Sequence, residues 1–203
     1  MADARNRLIS STMETRALIL LRHAPTTATD ARAFPADEVV EAPVLERLAE
    51  EDRLPHVDRC VVSPTRRAVQ TAEALRQQYV LEPRISECHF GSWRGKSVAE
   101  IAELDPASFG HWLADPDASP HGGESLRQIA DRVDDFMLTA SQLPGTTLAV
   151  THGGVIKIAV ARALNAPLRS MWQVRSEPLT LTTIEWTHDS WELVASNVPL
   201  ERR

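Results

Sequence analysis

The stretch Ala17-Leu18-Ile19-Leu20-Leu21-Arg22-His23-Ala24 decides the fold. Its apolar residues run without alternation and stop at a charged pair. Such a run, bounded by polar residues, reads as a strand buried on both faces, as in a parallel sheet. Cys60-Val61-Val62 and Thr147-Leu148-Ala149-Val150 have the same character. Segments of helical spacing lie between them. Ala68, Ala72 and Leu75 share one face of a helix expected over 66–79, and Leu126, Ile129, Val133, Phe136 and Met137 mark a longer one over 125–143, with Ser125 as its N-cap. Further helices are expected over 43–51, 97–104, 106–113 and 155–164, and a brief strand over 84–86. Strands over 179–186 and 190–194 are expected to run antiparallel, joined by Thr187-His188-Asp189, and to close one sheet edge. Alternating strands and helices predict an α/β fold.

The bulk numbers agree with an ordinary globular chain. It has 203 residues, 43% hydrophobic and 25% charged, enough to bury a core without metals or disulfides. A single domain is expected over 16–203, preceded by a disordered tail over 1–15, which has no apolar signal core. The net charge of -6 disfavours non-specific nucleic-acid binding, yet allows a locally basic site for an anion. No apolar run approaches the ~20 residues that span a bilayer, so no membrane partner is expected and the location is expected to be cytoplasmic. Cys60 and Cys88 have neither zinc-site nor disulfide spacing and read as reduced thiols.

Ligands in α/β sheets bind beyond the carboxyl ends of the strands. Arg22-His23-Ala24-Pro25-Thr26 follows the first strand, Ser63-Pro64-Thr65-Arg66-Arg67 the second, Glu87 the third and Thr151-His152-Gly153-Gly154 the fourth. Arginines and glycine amides opening a helix suit an anion. A histidine beside them can attack phosphorus, a second can stabilise the transferring group, and a carboxylate can protonate the leaving oxygen. No metal or cofactor is expected, because arginines and histidines supply the positive charge.

The same residues resemble the histidine phosphatase superfamily, the phosphoglycerate mutase-like proteins. Leu21-Arg22-His23-Ala24 is similar to its Arg-His-Gly signature and Ser63-Pro64-Thr65-Arg66-Arg67-Ala68-Val69-Gln70-Thr71-Ala72 to its second block. Glu87-Cys88-His89-Phe90-Gly91-Ser92-Trp93 is similar to its acid block, Gly122-Gly123-Glu124-Ser125 to a loop before the long helix, and Thr151-His152-Gly153-Gly154-Val155 to the second-histidine block. These blocks fall in family order. The resemblance implies a three-layer sandwich with a mostly parallel central sheet flanked by helices. It implies a phosphomonoester hydrolase with His23 as nucleophile, Glu87 as acid and base, and His152 beside them. Arg22, Arg67, Thr29 and Gly153 would face the substrate.

Glu87-x-x-Phe90-Gly91-x-Trp93 and Met171-Trp172-x-x-Arg175 look most like the alpha-ribazole phosphatase branch, which brings alpha-ribazole 5'-phosphate in as a candidate substrate. The partner expected is a small phosphorylated metabolite, and a homodimer stays open. The alternatives are a mutase-type isomerase, against which the short stretch between Glu87 and His152 argues, and a non-catalytic binding protein. Thr29 replaces the family asparagine, and the segment 30–43 lacks the usual pattern there. Arg66 is expected in solvent. Trp93, Trp112 and Trp172 are expected mainly in the core, His89 in a loop or at the pocket, and His56, His111, His121 and His188 at the surface or in turns.

Overall fold

A computed structural model describes residues 15–50 and 54–200. Its first strand, β1 (Arg16–Arg22), is buried through its middle five residues, as the unbroken apolar run requires. In chain order follow α1 (Thr27–Asp30), α2 (Ala42–Glu50), β2 (Arg59–Val62), α3 (Arg66–Ala74) and β3 (Val80–Leu81). Then come α4 (Val98–Leu104), α5 (Pro106–Ala114), α6 (Leu126–Ser141), β4 (Gly145–Thr151), α7 (Gly153–Ala163), β5 (Thr180–Thr187) and β6 (Ser190–Pro199).

The sheet order is β3-β2-β4-β1-β5-β6. β4 pairs in parallel with both β1 and β2, and β2 with β3, while β5 runs antiparallel to β1 and to β6. The result is an α/β fold around a mixed, mostly parallel sheet. Side chains alternate across a strand, so β1 feeds two cores. Leu18 and Leu20 join α6 and α7 on one face, with Ile129, Val133, Phe136, Val155 and Ile158. Ile19 and Leu21 join α2 and α3 on the other, with Leu48, Ala68, Ala72 and Leu75. These are the three expected layers.

Several local expectations are corrected. The third strand is Val80–Leu81, not 84–86; Pro83–Ile85 forms a 3-10 turn instead. Pro83 lacks an N–H for the sheet, and the Glu82 carboxylate accepts from the Arg84 amide at 3.0 Å. The helix expected over 66–79 ends at Ala74, beyond which Arg76 turns left-handed with φ 55°. The last strand continues to Pro199 through register shifts between Leu181 and Ile184. The final residue of the helix expected over 43–51 and, apart from Thr15, the expected tail lie outside the described residues. Ser125 does cap α6: its hydroxyl accepts from the Gln128 amide at 3.2 Å, and its own amide donates to Gln128 Oε1 at 2.8 Å. Among the described residues no helix is long and apolar enough to cross a membrane, and Cys60 and Cys88 are buried free thiols.

The segment 30–43 is pinned rather than loose. Phe34 exchanges backbone bonds with Gly95 and Lys96, Ala33 bridges to Ser97, and the Phe34 ring packs on Phe90, Trp93 and Trp112. Trp93 and Trp112 are core residues as expected. His121 is a correction: it is 2% exposed, not at the surface, with its ring edge-on to Trp93 and Phe90.

Candidate active site

The carboxyl ends of β1, β2 and β4 meet on one rim of the sheet. The His23 amide donates to the Thr151 carbonyl and the Ser63 amide to the Val150 carbonyl, which extends the parallel pairing into the loops. His23, Arg67 and His152 are thereby brought together, at 3%, 2% and 0% exposure. Arg22 and Glu87 border them and are half-buried.

The hydrogen bonds assign a tautomer to each histidine. His23 Nδ1 lies 2.7 Å from the Ala24 carbonyl, which can only accept, so this nitrogen carries the proton. His23 Nε2 accepts from Arg67 Nε at 3.2 Å and is the nitrogen left to act as a nucleophile. His152 has the opposite arrangement. Its Nδ1 accepts from Arg67 Nη2 at 3.2 Å, and its Nε2 donates toward Ser63 Oγ at 2.8 Å, with Thr65 Oγ1 at 3.2 Å. One guanidinium thus spans both rings, whose centroids are 5.1 Å apart.

Both rings are held neutral. Burial, then the Arg67 charge, lowers His23 from about 6.5 to about 3, against a raising contribution from the Ala24 carbonyl. Burial and Arg67 push His152 in the same direction. Stability follows with a definite sign. Between pH 6.5 and about 3 the unfolded chain binds protons that the folded site refuses. The contribution is complete above pH 6.5 and lost as pH falls through that window. Melting temperature should therefore drop more steeply from pH 7 to pH 4 in the wild type than in His23→Asn; parallel slopes in thermal melts would show that the ring is not held neutral.

Arg22 donates to the Ser176 carbonyl, and its buried Nε has no hydrogen-bond partner among the described residues. Gly153 and Gly154 have separate roles. A Cβ at Gly153 would stand 3.5 Å from the Arg22 guanidinium, and one at Gly154 only 2.6 Å from Glu87 Oε1. Gly154 thus gives Glu87 its place over the start of α7. Thr29, expected to face the substrate, borders the cavity beside these groups with its hydroxyl already engaged. Its hydroxyl donates to the Thr26 carbonyl at 2.6 Å and accepts from the Thr26 amide at 2.8 Å, so its single proton is committed to capping α1. Thr26, 2% exposed, has a buried hydroxyl that lacks a hydrogen-bond partner among the described residues, and it borders the cavity that opens beside these groups.

Residues that sequence reasoning missed hold this arrangement. Arg132 pairs with Glu124 at 2.9 Å and donates to the carbonyls of Arg84 and Ser86 at 2.8 and 2.7 Å, with the Glu87 carbonyl at 3.3 Å. It fastens α6 under the loop that carries Glu87. Gly123 passes so close to the His89 carbonyl that a Cβ would meet it at 1.7 Å. His89 itself is exposed. Asp37, from the pinned segment, accepts from the Arg66 amide at 3.1 Å and lies 4.0 Å from Arg67. The doublet Arg66-Arg67 is thereby resolved: Arg66 is exposed and Arg67 is enclosed. Arg67→Ala should lower kcat/KM by several kcal/mol, the loss typical of one partner of a buried charged pair. Arg66→Ala should stay within about 0.5 kcal/mol, and steady-state kinetics showing the reverse order would move the anion site to Arg66.

Beside these groups opens a cavity of about 510 Å³. Arg22, His23, Arg67, Glu87 and Gly153 form one end, and Phe34, Trp112, Met171 and Trp172 contribute apolar wall. Chemically the assembly offers a neutral imidazole nitrogen, two guanidinium groups for an anion and a carboxylate above the helix start.

Comparison with known proteins identifies the family. The family described as Histidine phosphatase superfamily (branch 1) matches residues 18–199. The adenosylcobalamin/alpha-ribazole phosphatase of Salmonella typhimurium is 31% identical over 128 residues, covering 59% of this chain and 63% of its own. Phosphoserine phosphatase 1 of Hydrogenobacter thermophilus is 30% identical over 132 residues, covering 62% and 63%. The alpha-ribazole phosphatase of Shigella flexneri superposes with a TM-score of 0.75 at 23% identity, over 92% of this chain and 100% of that one. Mycobacterial relatives 30% identical over 185 residues are longer, and the chain spans about half their length.

Proposed function

The chain belongs to branch 1 of the histidine phosphatase superfamily, and from that premise we propose that it hydrolyses a small phosphomonoester through a phosphohistidine on His23. The observation that carries this reading is the tautomer pair. Nδ1–H of His23 is tied to the Ala24 carbonyl, and Nε2 is neutral and aimed at the cation that would hold a phosphoryl group. An imidazole kept near pKa 3 is unprotonated, and so able to attack, at any ordinary pH.

In the first step His23 Nε2 attacks phosphorus in line. The N–P bond forms as the P–O bond to the alcohol breaks, and Glu87 gives its proton to the departing oxygen. Arg22 and Arg67 hold non-bridging oxygens. Before the attack Arg67 exchanges its bond to Nε2 for bonds to phosphate, which frees the attacking lone pair, and the incoming negative charge favours a proton on His152 Nδ1, which then donates. In the second step water attacks phosphorus, Glu87 takes the water's proton, and the N–P bond breaks. Most of the acceleration comes from positioning and charge stabilisation. Gly153 lets α7 approach Arg22, and the Thr26 hydroxyl is better placed to serve an oxygen than the committed Thr29.

The named relatives act on different phosphomonoesters by their descriptions, alpha-ribazole phosphate and phosphoserine among them, so alpha-ribazole 5'-phosphate is one candidate within a class. The chemistry has a direct test. Purified protein should release nitrophenol from nitrophenyl phosphate at an undiminished rate after dialysis against a chelator. Loss of activity restored by magnesium or zinc would replace the arginine-based mechanism with a metal-based one.

A further inference from the structure

The phosphoryl end accounts for only part of the cavity's charge. Arg22, Arg32, Arg67, Lys157 and Arg175 border it, against the carboxylates of Glu87 and Glu177 alone. This cationic surplus sits on a chain whose net charge is -6. A phosphomonoester carries close to two negative charges at neutral pH, so a bound phosphoryl group leaves positive charge over. Arg32 and Arg175 are exposed, and solvent and salt screen them. Lys157 is half-buried and is not screened in this way.

Lys157 stands on α7 four residues beyond Gly153, on the same side of the helix and about 6 Å along its axis. Its neighbours Ile156 and Ile158 are fully buried. Among the described residues it has no carboxylate within 4 Å and no hydrogen-bond partner. Burial and Arg22 lower its affinity for a proton, and Glu87 and Glu177 restore part of it at longer range. Apolar and aromatic groups, Met171, Trp172 and Trp112, line the same cavity. An ammonium in such surroundings costs free energy unless an anion meets it. Ser176 gives a second, independent observation. It is 5% exposed, borders the same cavity, and its hydroxyl has no hydrogen-bond partner among the described residues.

We infer that Lys157 is a second anion site, and that the substrate is a phosphomonoester whose alcohol carries its own carboxylate within a few bonds of the ester oxygen. The inference rests on the phosphatase reading and narrows it. A monoanion suits one ammonium and one hydroxyl donor; of the guanidinium groups near them, Arg22 already donates to the Ser176 carbonyl at the phosphoryl end and Arg175 is exposed to solvent, which leaves no buried fork for a second phosphate. The single helical turn between Gly153 and Lys157 sets the scale as that of a two- or three-carbon acid. The aromatic wall would cover the carbon chain between the two charged ends.

The test compares substrates that differ only in the carboxylate: 3-phosphoglycerate with glycerol 3-phosphate, and phosphoserine with phosphoethanolamine. Wild-type kcat/KM should favour the carboxylate member of each pair by about 10-fold or more, since 1.4 kcal/mol corresponds to tenfold. Lys157→Met should collapse that ratio to within about 2-fold, mainly through KM, and Lys157→Arg, which keeps the charge, should retain most of it. A wild-type ratio near one, or an equal loss on both members in Lys157→Met, would overturn the inference, as would alpha-ribazole 5'-phosphate proving the better substrate over both carboxylates. Nitrophenyl phosphate separates the two levels. If it is hydrolysed and the pairs show no preference, only the second anion site fails. If the wild type hydrolyses neither it nor any of the four esters, the phosphatase reading fails and takes the inference with it.

Discussion

Protein quenched during turnover should carry one phosphoryl group on His23, labile in acid and stable in base, and His23→Ala should carry none. The expectation follows from the unprotonated Nε2: phosphorus on that nitrogen forms a phosphoramidate, whose P–N bond breaks readily once the ring is protonated. Removing the nucleophile from a set of groups that act together typically costs roughly 10⁴-fold or more in turnover. The residue is also structural, since its ring bridges Ala24 and Arg67. A second variant, His23→Asn, therefore guards against simple misfolding, and a normal melting transition at pH 7 with no label and no turnover supports the nucleophile role. Acid-stable phosphate on a serine, or label that survives in the variant, would end the phosphohistidine mechanism.

The second large effect separates the two duties of Glu87. An alkyl phosphate has a basic leaving oxygen that needs a proton as the bond breaks, whereas nitrophenolate departs as an anion. Glu87→Gln keeps the shape and removes the proton. Single-turnover phosphorylation of His23 by an alkyl phosphate should slow by roughly 10²–10⁴-fold, and by nitrophenyl phosphate much less. Release of phosphate should slow equally for both, because the intermediate is the same. The variant should therefore show a burst of nitrophenol followed by slow turnover. Equal slowing of both phosphorylation steps would reduce Glu87 to a positioning residue, and the acid would have to be sought at exposed His89.

The parts of the molecule legible in the sequence are those whose physics is local. Ala17 to Leu21 reads as a doubly buried strand, and Ser125 ahead of an amphipathic run announces a helix start. The rim of His23, Arg67 and His152 follows from placing whatever ends each strand on one side of the sheet. The third strand was misplaced because Val80 and Leu81 form a two-residue edge with 70% and 51% exposure, where no alternation can be read. The 3-10 turn that replaced the expected 84–86 strand depends on a side chain, Glu82, competing with the sheet for an amide. His121 lies between Pro120 and Gly122, a setting typical of a surface turn, and only distant aromatic rings bury it. Arg132 is one arginine among the polar positions of a long helix, and its carbonyl partners lie more than forty residues away. Lys157 did have a signal: it is the lone charge within the first nine residues of an otherwise apolar helix. That pattern marks an interior position that needs a reason, and only the cavity supplies one.

β5 returns antiparallel beside β1, and the Leu179 amide donates to the Arg22 carbonyl at 3.1 Å. This last crossing delivers Met171, Trp172 and Ser176 to the cavity after every reactive group is already in place. Phe34 arrives from the pinned segment on the opposite border. The groups proposed to break bonds sit at the ends of β1, β2 and β4 and in the loop clamped by Arg132, whereas much of the wall that would choose the alcohol hangs from two peripheral connections. The protein is in this sense a fixed engine with an exchangeable intake. Lineages, or engineers, can rewrite 30–43 and 168–177 to change what is accepted while the central strands keep the engine in register, and that division of labour lets one architecture serve unrelated metabolites at modest sequence identity.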